Sequence, residues 1–261
     1  MTQIIAIINQ KGGVGKTTTC VNTGAALTAK GKKVLLVDAD PQNSLTTSLG
    51  FSAADRLPVT LSMVMDRIIA GDEIIPGEGI IKTYEGMDLL PSNIQLAGTE
   101  MNLFNAIARE RVLAQYIDAV KSQYDYVLID CMPSLGIIPI NALAAADSVI
   151  IPVQAEYLSA KGLEQLLMTV SRVRKKINAG LEIKGILLTM VDMRTNNAKE
   201  VCGLIKESYG SHIRIFNTAI PKSVRVSETP AYGVSIYGYA PESKVAAAYT
   251  AFTEELIDDE N

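Results

Sequence analysis

The sequence predicts an α/β fold, a mostly parallel β-sheet with helices on both faces. Two observations predict it. Short β-rich apolar runs alternate with helical stretches along all 261 residues, as strand–helix units do. Several runs, such as 4–8 and 34–37, are apolar without period-two alternation, as strands buried on both faces are.

In chain order, strands are expected at 3–8, 33–38, 87–90, 125–130, 148–153, 183–191 and 213–216. Helices are expected at 16–30, 109–123, 138–145, 160–177, 197–209 and 243–257. No low-complexity linker or internal repeat interrupts the series, so residues 1–261 are expected to form one domain. Ligands of such folds bind at the carboxyl ends of the strands. The informative residues should therefore follow strands.

Composition narrows the field. No apolar run approaches the ~18–20 residues that span a bilayer. Met1 leads at once into an apolar run and a glycine loop, which does not read as a signal peptide. Cys20, Cys131 and Cys202 are odd in number and far apart, as expected of reduced thiols in a cytoplasmic protein. A single histidine, His212, argues against a histidine-rich metal site. The net charge of −4 speaks against a polyanion partner, but its distribution does not. Residues 161–225 hold 12 Lys and Arg against 5 Asp and Glu, a balance of +7; the remainder holds 12 against 23, a balance of −11. Such asymmetry is a sign of a polyanion partner.

The first strand runs into Asn9-Gln10-Lys11-Gly12-Gly13-Val14-Gly15-Lys16-Thr17-Thr18. Glycines let the backbone approach phosphate without a Cβ in the way. Their N–H groups can converge on phosphate oxygens, and the helix that follows adds its positive end. Lys16 is placed for the β- and γ-phosphates of ATP, and the Thr17 hydroxyl for Mg²⁺. The general pattern G-x-x-x-x-G-K-[ST] asks for glycine where Gln10 stands, so this is a variant of the P-loop NTPase signature. Lys11 is surplus to one nucleotide and, taken alone, reads as a solvated lysine.

Two apolar strands end in aspartate: Val34-Leu35-Leu36-Val37-Asp38-Ala39-Asp40 and Tyr126-Val127-Leu128-Ile129-Asp130. A P-loop enzyme holds Mg²⁺ with such a strand-end carboxylate. Either Asp38 or Asp130 alone could equally cap a turn; beside a P-loop they point to the metal. Asp38 and Asp40 divide the remaining work, one in the magnesium shell and the other orienting the attacking water.

These motifs resemble the ParA/Soj family of DNA-partitioning ATPases. So do Ile151-Pro152-Val153-Gln154, the run from Leu188 through Met190, Asp192, Met193 and Arg194 to Asn196, and the run from Ile220 and Pro221 through Arg225 to Glu228. The resemblance covers nearly the whole chain. It implies a homodimer closed around ATP, in which Lys11 reaches the partner's nucleotide, Asp40 activates the hydrolytic water and Asp130 is the Walker B carboxylate. It places the nucleotide against residues Lys11 to Thr18, Val14 included, and against Met190 and Pro221. It further implies nonspecific DNA binding through Arg194 and Arg225, a ParB-type protein that stimulates hydrolysis, and a nucleoid-associated location. Met132 stands where proline is usual, and Asn43 where glycine is common. With the first strand beginning by Gln3, no N-terminal DNA-reading domain is expected.

Other readings fit less well. A MinD-like membrane ATPase would need a basic amphipathic C-terminal helix, but the end of this chain carries Glu254, Glu255, Asp258, Asp259 and Glu260. An iron–sulfur relative needs paired cysteines, and Cys131 has no evident second ligand. Tyr232, Tyr237, Tyr239 and Tyr249 are spread too widely to form a tyrosine-rich tail. A regulator that uses ATP only as a switch would carry the same residues as a slow ATPase.

Overall fold

The computed structural model describes residues 1–155, 159–192 and 194–258; Met193, Asp259 and Glu260 lie outside them. The strands are β1 (Gln3–Ile7), β2 (Val34–Ala39), β3 (Ile81–Lys82), β4 (Asp88–Leu90), β5 (Tyr126–Cys131), β6 (Ser148–Gln154) and β7 (Glu182–Thr189). They form one sheet in the order β3-β4-β2-β5-β1-β6-β7, parallel except for the edge strand β3. The first strand of the chain thus lies inside the sheet, between β5 and β6.

The unalternating apolar runs have their reason here, since both faces are covered. Ile4, Ala6 and Ile8 join one apolar cluster, and Ile5 and Ile7 the other. Leu35 and Val37 likewise oppose Val34 and Leu36. On the first face lie α3 (Leu61–Ala70), α4 (Leu96–Leu103), α5 (Val112–Val120), α6 (Ile137–Ala145), α7 (Ser159–Lys176) and α8 (Asn196–Tyr209). On the second lie α1 (Lys16–Ala29), α2 (Ser44–Ser48), α10 (Ile236–Tyr239) and α11 (Lys244–Asp258), with α9 (Val224–Tyr232) beside them. The helix expected at 109–123 is shorter, because 3₁₀ turns at Arg109–Arg111 and Lys121–Gln123 bracket α5. Among the described residues no helix is long and apolar enough to cross a membrane.

One expected strand is absent. Residues 213–216 run beside β7 but make only the single bridge Ile186 to Ile215. The cause is local. Phe216 N–H donates to the Ile186 carbonyl at 3.0 Å, but the Leu188 carbonyl accepts next from Ile220, at 2.8 Å. Between them, Asn217 and Thr218 donate their N–H groups to the Glu255 carboxylate on α11, at 2.8 and 3.1 Å. Arg214 donates to the same carboxylate at 3.1 Å. A side chain has replaced part of the β ladder. Gly185 permits the close approach, since a Cβ there would lie 2.8 Å from the Phe216 ring.

Glu255→Ala strips two backbone N–H groups and a guanidinium of their acceptor. It is expected to cost about 2–3 kcal/mol in urea unfolding, and Glu255→Gln less, because one carbonyl oxygen remains. A loss under about 0.5 kcal/mol for the alanine variant would show that water replaces the carboxylate.

Candidate functional site

The site forms where β1, β2 and β5 end. After β1 the chain turns through the glycine loop, with Gly13 at φ 73° and Gly15 at φ 87°. Both lie in the left-handed region that glycine enters at no steric cost. Gly15 caps α1 without a side-chain hydrogen bond, so the first N–H groups of that helix face the loop. Lys16 folds back, its ammonium 3.1 Å from the Lys11 carbonyl. Thr17 donates its hydroxyl to Asp130 Oδ2 at 2.6 Å. Thr189, at the end of β7, donates to the Val14 carbonyl at 2.8 Å, while the Val14 side chain is buried.

Asp38 and Asp130 are register partners in the β2–β5 ladder, and both are sealed from water. Their surroundings differ. Asp38 accepts from the Thr46 N–H at 2.8 Å, the Thr46 hydroxyl at 2.6 Å and the Asp40 N–H at 3.2 Å. Both of its oxygens are therefore engaged. Burial still pushes its carboxyl up to about 7, against the pull of those hydrogen bonds. Asp130 has the Thr17 hydroxyl on Oδ2, while Oδ1 is buried with no hydrogen-bond partner among the described residues. Burial, and then the Asp38 charge, push its carboxyl well above the ordinary range. Burial also lowers the Lys16 ammonium, with Asp130 the largest opposing influence.

A cavity of about 380 Å³ opens above these groups, lined by Gly12, Gly13, Gly15, Lys16, Thr17, Thr18, Asp40, Gln42, Ser44, Pro133 and Met190. Asp40 Oδ1 accepts from the Gln42 N–H at 2.9 Å, which fixes the carboxylate in that wall. A second, more apolar cavity of about 260 Å³ shares Gly15, Thr18 and Met190. Pro221, Val226, Pro230 and Tyr249 help to line it. Met190 takes φ 53°, rare for a residue with a side chain. Asn43 takes φ 47°, so a glycine-type backbone is kept by the residue that best tolerates it.

Of the residues named from sequence, Gly12, Gly13, Gly15, Lys16, Thr17, Thr18, Asp40 and Met190 line the first cavity, and Pro221 the second. Asp38 and Asp130 lie beneath the first. Arg194 and Arg225 lie apart from both cavities. Arg194 is 90% exposed and clasps Asp192 through two bonds of 2.8 Å. Arg225, exposed near the start of α9, borders a depression with Tyr239 and Glu242. Sequence reading assigned no role to Thr46, Gln42, Pro133 or Thr189. For Thr189 the visible signal was a hydroxyl closing the apolar run Ile186–Leu188.

The donor set fits a hard cation. Mg²⁺ is bound through one or two protein oxygens, with phosphate and water completing the shell. The Thr17 hydroxyl and the unpartnered Asp130 oxygen supply that number. Among the described residues no group of three His, Cys, Asp or Glu forms a metal cage.

A glycine turn between a buried parallel strand and a helix, set over strand-end carboxylates, defines the P-loop nucleotide-binding class. Comparison with known proteins makes this narrower. A family model described as an AAA domain matches residues 2–183. The sporulation initiation inhibitor protein Soj of Bacillus subtilis is 48% identical over 98% of each chain. The chromosome partitioning protein ParA of Caulobacter vibrioides is 38% identical over 99% of this chain and 95% of that one. A solved structure named cobyrinic acid a,c-diamide synthase from Mycobacterium smegmatis, with bound ADP and magnesium, superposes with a TM-score of 0.87. It is 39% identical and covers 100% of this chain and 96% of its own. The same protein has been solved with an ATP analogue and magnesium. The chain belongs to the Soj/ParA family of chromosome-partitioning ATPases.

The buried carboxylates predict a pH dependence. Asp38 keeps its proton in the folded chain up to about pH 7, whereas an unfolded chain releases it near 3.8. The folded state therefore binds more protons in that window, and stability must fall as pH rises through it. Without nucleotide, the midpoint of thermal unfolding is expected to drop between about pH 5 and about pH 7.5. Asp38→Asn should flatten the slope. A midpoint that rises across this range would contradict the assignment.

Proposed function

We propose that this chain is an ATP-dependent DNA-partitioning ATPase that works as an ATP-closed homodimer. The observation that carries the reading is the Thr17–Asp130 pair, with one buried carboxylate oxygen unpartnered, under a cavity lined by the glycine loop, Lys16 and Asp40. The phosphates of ATP occupy that cavity, and the base occupies the adjoining apolar one against Met190 and Pro221. Thr17 and Asp130 would hold Mg²⁺, which when bound would neutralise phosphate charge.

The residues then divide the work. The loop N–H groups and Lys16 hold the phosphates, and Lys16 leaves the Lys11 carbonyl to do so. Lys11 reaches the nucleotide of the second copy. Asp40 orients the attacking water, because its carboxylate lies in the cavity wall with one oxygen fixed by Gln42. Asp38, with both oxygens engaged by Thr46 and Asp40, supports that wall from below. In-line phosphoryl transfer asks for such positioning and little covalent chemistry.

Arg194 and Arg225 contact DNA phosphates. Two copies double these contacts on one surface, which makes binding ATP-dependent, and phosphate contacts carry no base sequence. A ParB-type protein stimulates hydrolysis and returns the chain to monomers, and the ATP form resides on the nucleoid.

Two experiments test the reading. Asp40→Ala should bind ATP and accumulate as a dimer while turnover falls by at least about 100-fold; wild-type turnover would move the water-orienting role elsewhere. Arg194→Glu and Arg225→Glu should weaken binding to any duplex in ATP, with a shallower salt dependence, while dimerisation persists. Unchanged DNA affinity in both variants would send the search to the exposed Arg172, Arg174 and Lys175 of α7.

A further inference from the structure

The peptide that joins Val14 to Gly15 is held from the far edge of the sheet. Thr189 closes β7, the edge strand on that side, and its side chain is buried. Its hydroxyl donates to the Val14 carbonyl at 2.8 Å, across 175 residues of chain. On either side of that peptide the chain is anchored. The Val14 side chain is buried, and the Gly15 carbonyl accepts from the Thr19 N–H at 2.9 Å.

A trans peptide points its carbonyl and its N–H in opposite directions. Holding the Val14 carbonyl against Thr189 therefore sends the Gly15 N–H the other way. Thr189 borders the apolar cavity, whereas Gly15 borders both cavities. The N–H turned away from Thr189 is the one that can serve phosphate. Nothing in the glycine itself selects this direction. A flip of the peptide plane would carry Gly15 from φ 87° to a negative φ, which glycine enters as readily. The flipped plane would aim the Val14 carbonyl, the negative end of the peptide dipole, at the phosphates. Space does not select it either, since a Cβ on Gly15 would lie 3.8–3.9 Å from Met190 and Thr189, at ordinary contact. The Thr189 hydroxyl is the group that makes the choice.

We infer that Thr189 is a positioning residue for the phosphates of ATP: it keeps the Val14 carbonyl turned from the phosphate cavity and the Gly15 N–H turned toward it. This rests on the reading of that cavity proposed above. A buried threonine that served packing alone would act through its methyl group and volume, and valine would replace it. One that aims a peptide acts through its hydroxyl, and serine replaces it.

The test uses the full chain with ATP and Mg²⁺ and compares Thr189→Val with Thr189→Ser. ATP affinity is measured by titration. Thr189→Val is expected to weaken ATP binding about tenfold, and Thr189→Ser less than about threefold. Packing alone gives the reverse order, because serine leaves a cavity that valine fills. The Gly15 backbone amide, followed by NMR, should shift when ADP and Mg²⁺ bind to the wild-type chain. Wild-type affinity in Thr189→Val, a loss in Thr189→Ser as large as in Thr189→Val, or a Gly15 amide that ignores ADP each overturns the role. If Thr189→Val does not fold, Thr189→Ala against Thr189→Ser decides, since these two differ by the hydroxyl alone. Binding about tenfold weaker in the alanine variant supports the role, and equal affinities overturn it. Lys16→Ala separates this role from the reading beneath it. Unchanged ATP affinity in Lys16→Ala overturns the phosphate-cavity reading, and the role of Thr189 with it. Lost ATP binding in Lys16→Ala beside wild-type binding in Thr189→Val overturns the role alone.

Discussion

Two carboxylates sit side by side at the ends of adjacent strands, out of reach of water, and the surrounding site answers that constraint. Burying charge is costly unless partners replace the lost solvent. For Asp38 both oxygens find donors within the chain, one hydroxyl and two backbone N–H groups, although burial still raises the carboxyl. For Asp130 it is incomplete: one hydroxyl on one oxygen, a partly desolvated lysine nearby, and nothing on the other oxygen. The asymmetry separates a supporting carboxylate from one suited to a cation. It follows from Thr46, which arrives from α2 beneath β2, whereas among the described residues no donor reaches the second oxygen of Asp130.

The parts legible in the sequence were those written in consecutive residues. β1, β2, β5 and β6 announce themselves as runs with apolar side chains on both faces. The glycine loop and the strand-end aspartates are local patterns as well, so most groups around the phosphate cavity could be named in advance. What stayed hidden depends on distant residues. α2 and α10 are too short to show a periodic stripe, α9 contains Pro230, and β3 has two residues. Residues 213–216 have a strand's composition but lose the ladder to Glu255, a competitor that no local window contains. Met190 and Pro221 were reached only through family resemblance, because the apolar cavity depends on the bridge between Val191 and Pro221.

The roles of Asp38 and Asp40 show how geometry resolves a choice that spacing leaves open. Two residues apart at a strand end, either could face the nucleotide. The Asp40 N–H turns back to Asp38, and its own carboxylate is turned outward by Gln42. One aspartate thus orients the other, and Pro41 follows directly, just past the end of the strand. Asn43 continues the same economy of turns, since its left-handed backbone starts α2 and brings Thr46 beneath Asp38.

The Glu255 contact also bears on how the chain is made. During synthesis the ribosome delivers elements in order, and domains fold as their parts emerge. β1 is made first, yet it must wait for both β5 and β6, between which it lies. Residues 213–222, which pass beside β7 and lead into the apolar cavity, must wait longer still. Their bend is held by a side chain of α11, the last of the described helices to be synthesised. The phosphate loop can therefore be complete on a nascent chain while the wall of the adjoining cavity is not. A polypeptide that ends before Glu255 would carry the loop residues without the carboxylate that holds Asn217 and Thr218 beside the apolar cavity.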